Sequence, residues 1–195
     1  MNLEGILGLL NDKDLGKLSS QLGVNENDVK LGLVSALPAI LQALNKNTQT
    51  AEGAESLNKA LEKHDGSVLN NLSGYLNNPD LNDGAGILNH LFGNQTENVA
   101  KAVSKSSGLD SNGSIKMLQI LAPLVLGALG KQKKDNNLDA SGLDALTSML
   151  ALNLGSNEQT SEIMGLVTNL LDSNKDGAIV DDLLGLASKF LGGKK

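Results

Sequence analysis

A chain of 195 residues with 40% hydrophobic side chains is long enough for one or two domains with a proper core, but only 2% are aromatic, so that core must be built from Leu, Ile, Val and Ala. The chain has no cysteine, which excludes disulfides, thiolate zinc sites and a cysteine nucleophile. Its net charge is −6 and its basic side chains are all lysine, which argues against nucleic-acid or anionic-membrane partners, since arginine usually supplies the bidentate phosphate and guanine contacts.

The opening MNLEGILGLL has neither a basic segment nor a cleavage site, so it does not read as a secretory signal, and a cytoplasmic location is expected. Residues 3–10 form a short amphipathic piece. Asp12 or Asp14 is expected to cap a helix through Leu22, with Leu15, Leu18 and Leu22 on one face and Gly23 as its stop. Asn25 then caps the next helix, and Asp28 three positions on approximates a capping box.

That helix carries Pro38 inside its most apolar run, where the missing donor should kink it. The stretch 23–46 has an echo at 108–131, an offset of 108 − 23 = 85 positions, which superimposes Leu33 on Leu118, Pro38 on Pro123 and Leu41 on Leu126. The fold class expected is therefore all-α: an irregular helical bundle with an internal duplication of a turn–helix–kinked-helix unit. The two proline helices should pack together, with Ala36, Ala39, Ala122 and Gly127 allowing their backbones to approach.

Between the two copies, a helix is expected over 51–63. Two Asp-Gly pairs, Asp65-Gly66 and Asp83-Gly84, should then open aliphatic helices on either side of Pro79, and a helix should run from Asn94 to Ser107. The polar run KQKKDNN, 131–137, reads as a linker. It divides a duplicated helical domain, 1–135, from a C-terminal segment, 136–195, with helices near 140–152, 158–171 and 178–191. The apolar runs 31–44 and 118–130 are too short and interrupted to predict a membrane span.

The runs LGKLSSQLGVNENDVKLGLVSALPAILQAL, HDGSVLNNLSGYL, DGAGILNHLFGN and LAPLVLGALGKQ, in this order over about residues 12–135, resemble the bacterial domain of unknown function 937 family. The resemblance implies an all-helical bacterial module without an established activity, and it brings no catalytic residues.

Several constellations bear on function. Leu15, Leu18, Gly23-Val24 and Val29 have helix-turn-helix spacing, yet the would-be recognition helix starts Asn25-Glu26-Asn27-Asp28, placing acids where phosphates would lie. The turn Asp172-Ser-Asn174-Lys-Asp176-Gly177-Ala178 resembles the front half of an EF-hand loop. Side-chain oxygens would come from Asp172, Asn174 and Asp176, a carbonyl from Ala178, and a late carboxylate from Asp182, because Leu183 stands where the bidentate glutamate belongs. Two readings of this turn stay open: weak calcium binding, or a capped inter-helix turn that needs no metal. No other cofactor is indicated.

His64 should sit at a helix end, and His90 between Leu88 and Leu91 should be partly buried. The two are too far apart in sequence to suggest zinc. No G-x-S-x-G, H-E-x-x-H or P-loop motif is present, so no enzyme is expected. The C-terminal helices carry apolar stripes (Ile163, Leu166, Leu170; Ile179, Leu183, Phe190) that must pack on the body, form a dimer or meet a partner. The function expected is a non-catalytic protein-interaction or scaffolding module, acting through a protein partner or a homo-oligomer. The alternatives are a calcium-binding regulatory module and a helix-turn-helix nucleic-acid-associated protein.

Overall fold

The computed structural model describes residue 8, residues 10–155, and residues 165, 166 and 168–170. The described residues form an all-α bundle. Its helices are α1 (Asp12–Leu22), α2 (Glu26–Thr48), α3 (Ala51–Lys63), α4 (Ser67–Asn70), α5 (Leu72–Asn77), α6 (Leu81–Phe92), α7 (Thr96–Ser107), α8 (Ser111–Asn136) and α9 (Ala140–Gly155), with a 3-10 turn, Gly93–Gln95, before α7. The expected piece 3–10 lies almost wholly outside the described residues.

Cap chemistry sets the helix starts. Asn11, not Asp12 or Asp14, caps α1: its side chain accepts from Lys13 N at 2.9 Å and Asp14 N at 3.2 Å, while Asp14 answers the Asn11 amide. Asp14 is thus the far member of a capping box. Asn25 caps α2 as expected, accepting from Asp28 N at 3.0 Å. Asp110 does the same for α8 through Gly113 N at 2.6 Å. The turn before each of these two helices also has a left-handed glycine, Gly23 at φ +70° and Gly108 at φ +77°, and a serine hydroxyl (Ser19, Ser104) that donates to the carbonyl just past it. Local chemistry thus recurs at this spacing, but tertiary surroundings differ. The most extensive partner of α8 is α6, whereas α2 lies mainly against α9, α7 and α8.

Pro38 and Pro123 are both buried, and α2 and α8 do touch. Both helices are continuous through their prolines. Pro123 cannot donate to Gln119, so that carbonyl lacks its ordinary helical partner. Over it lies Gly84, where a Cβ would come within 2.0 Å of the oxygen. The close approach is therefore one of α6 to α8 at Gly84. The α2–α8 contact instead has Gly32 beneath the Met117 thioether and Leu109. Gly127 of α8, expected to face α2, meets Val68 and Gly66, and Gly130 lies against the His64 carbonyl. Residues 64–68 are folded tightly onto α8 through these two glycines.

Asp83 does not open α6. Asp80 does, accepting from Asn82 N and Asp83 N at 3.0 Å each, which places Asp83 and Gly84 in the first turn. The sequence 131–137, expected as a linker, is instead the last part of α8 and its cap. Lys and Gln favour a helix, Lys131 pairs with Asp135 at 3.0 Å one turn on, and the stop comes only at Asn137, left-handed at φ +50°.

Residues 140–155 join the same body. Leu143 and Leu150 of α9 are buried in the common core, and α9 packs on α2 and α3. Polar residues on α2 meet it: Thr48 and Thr147 share a hydrogen bond of 2.7 Å, and Asn45 donates to Ser148 Oγ at 2.9 Å; beyond α9, Gln42 donates to Thr168 Oγ1 at 3.1 Å. Leu170 is packed against the same core. By length and composition α8 would suffice to cross a membrane, yet 78% of its most apolar window is buried among the other helices. Its place at the centre of the bundle accounts for that hydropathy.

Candidate functional site

α3 and α6 stand on either side of a cleft of about 480 Å³, floored by α2 and α8. Each wall is one helical stripe. Gly53, Ser56, Leu57, Ala60 and Lys63 recur at three- and four-residue spacing along α3. Asp83, Gly86, Ile87, His90 and Leu91 do so along α6. Leu44 and Leu126 close the bottom. The interior is therefore aliphatic and polar groups are gathered at the mouth, the usual make-up of a small-molecule or side-chain site.

Both histidines line the cleft. His64, the residue that ends α3, has Nδ1 2.9 Å from the Ala60 carbonyl and Nε2 3.0 Å from Asp83 Oδ2. Both neighbours are acceptors, so each ring nitrogen of His64 faces an oxygen and the ring bridges α3 to Asp83. Asp83, an anion in the first turn of α6, complements the dipole of that helix. The pair ties the two walls together at one end of the cleft. His90, expected to be partly buried, is exposed on α6, because the helix turns Leu88 and Leu91 inward and leaves position 90 on the solvent side.

Next to the cleft, Tyr75 donates to the Ile120 carbonyl of α8 at 3.0 Å. Burial, then the charges of Asp83 and Asp80, push its phenol well above the ordinary tyrosine range. Asp65, at the start of α4, is held below the usual carboxylate range, first by the Ser67 amide, which donates to it at 3.0 Å.

The proposed calcium ligands Asp172, Asn174, Asp176, Ala178 and Asp182 lie outside the described residues, as does the stripe 179–190. Among the described residues, no three His, Cys, Asp or Glu side chains gather to hold a metal. In the helix-turn-helix segment, Glu26, Asn27, Lys30 and Leu31 are exposed, and α2 is largely buried from Gly32 onward. Sequence reasoning missed the cleft, though the i, i+3, i+4, i+7 run Asp83, Gly86, Ile87, His90 marks a single face of α6.

A family model described as "Bacterial protein of unknown function (DUF937)" matches residues 4–132. The chain belongs to this family. The match takes in both walls of the cleft and its floor. No curated protein and no solved structure matches the chain.

Proposed function

We propose that this protein is a non-catalytic helical interaction module and that the α3–α6 cleft is the surface through which it binds. The observation that carries this reading is the contrast inside the cleft. An open aliphatic interior of about 480 Å³ is available to an apolar group, while His64, the best-placed proton-transfer residue, has both ring nitrogens engaged. A general base needs a free nitrogen within reach of its substrate. His64 can offer one only by releasing Ala60 or Asp83, so the pair acts as a clasp between helices. Further apolar surface on the outer side of α9, where Met149 is 61% exposed, suits a protein that works by contact.

The test uses a neutral, environment-sensitive apolar dye such as Nile red, with Ile87→Glu placing a charge on the cleft wall. Wild type should enhance the dye's fluorescence, and I87E should lose most of that enhancement while its helical circular dichroism stays unchanged. Equal enhancement by the two proteins would remove the cleft from the binding surface.

A further inference from the structure

The charge around the cleft runs opposite to that of the chain. Over the whole sequence acids outnumber lysines 22 to 16. Counted the same way, the cleft lining has two lysines, Lys59 and Lys63, against one acid, Asp83, which is already bound to His64. Lys59 has only a loose partner, Glu55 at 3.9 Å, with both side chains more than half exposed. Lys59 and Lys63 lie one helical turn apart on α3, at the same mouth.

We propose that the cleft holds an amphiphile with an anionic head, of the medium-chain fatty-acid class. Its tail lies along Leu57, Ile87 and Leu91 above the Leu44 and Leu126 floor, and its carboxylate takes hydrogen bonds from Lys59 and Lys63. Aliphatic walls remove the chain from water without demanding a particular partner atom. Lysine ammonium groups on flexible stems reach a carboxylate as point charges, which the absence of arginine makes the available chemistry here. The two parts of the site are adjacent, so a single molecule meets both. This assignment rests on the cleft being the binding surface.

Its test is a calorimetric and amide-shift titration of the full chain with decanoate, decanol and decyltrimethylammonium, each below its micelle concentration. Decanoate should bind about tenfold more tightly than decanol, and decyltrimethylammonium more weakly than either. K59E/K63E, on the exposed side of α3, should lose about tenfold in decanoate affinity and keep its affinity for decanol. Amide shifts should centre on Ile87 and His90. Equal binding of decanoate and decanol, or tighter binding of the cation, overturns the anionic head and leaves the cleft reading standing. Failure of all three probes to bind or to shift those amides removes both.

Discussion

Two glycines a half-turn apart on α6 have opposite roles. Gly84 lies against the Gln119 carbonyl, where an added Cβ would come within 2.0 Å, while Gly86 has open space around its Cβ position. Gly84→Ala must push α6 off the backbone of α8, an overpacking cost of about 1–3 kcal/mol or more. Gly86→Ala relieves a flexible residue in a helix and should add about 0.5–1 kcal/mol. Thermal melts of the two variants should move in opposite directions. Tyr75 permits a pH test. Its phenol is favoured protonated in the folded state, so the stability it contributes is complete below the unfolded value of about 10 and is lost as pH rises beyond it. Tyr75→Phe should cost about 0.5–1.5 kcal/mol at neutral pH through the lost bond to Ile120. The gap between wild type and Y75F should then shrink above about pH 10. A gap that stays constant in denaturant titrations would show that the phenol is not the group titrating.

At the scale of elements, α9 reads as a helix in sequence, but its apolar character with little amphipathic contrast does not say which face packs on the body. Its docking is specified from the other side, by Asn45 and Thr48 of α2, which bond to Ser148 and Thr147. Adjacent positions on α9 separate packing from surface. Leu150 is 2% exposed and Met149 is 61% exposed. Leu150→Ala should cost about 2–5 kcal/mol by cavity formation, whereas Met149→Ser should stay within about 0.5 kcal/mol in chemical denaturation. Similar losses for both would mean that α9 does not dock in this register.

For the molecule as a whole, α2 and α8 bring the long-range contacts of the bundle to one core. Leu41 is 1% exposed and part of the aliphatic core, and Leu41→Asp should remove cooperative unfolding altogether, because a carboxylate buried there takes a large share of a total of about 5–15 kcal/mol. Lys134→Asp, on the exposed end of α8, should leave the melting temperature within about 2 °C. Near-zero shifts for both variants in calorimetry would defeat the core assignment.

Legible in the residues alone were the all-α class, most of the helices between 12 and 155, the stop at Gly23 and the burial of both proline helices, because capping, left-handed glycine and apolar periodicity act within a few residues of one another; the caps of α1 and α6 were not. The end of α8 was misplaced, since a polar composition looks like a linker even where its lysines and glutamine favour a helix. Packing between helices, and nothing local, brings Gly84 over the carbonyl orphaned by Pro123, seats α9 on the polar residues of α2, and places His64 and His90 along one cleft. Those facts join residues that are distant along the chain, and no local spacing encodes a contact between two helices whose relative placement is set by everything else they pack against.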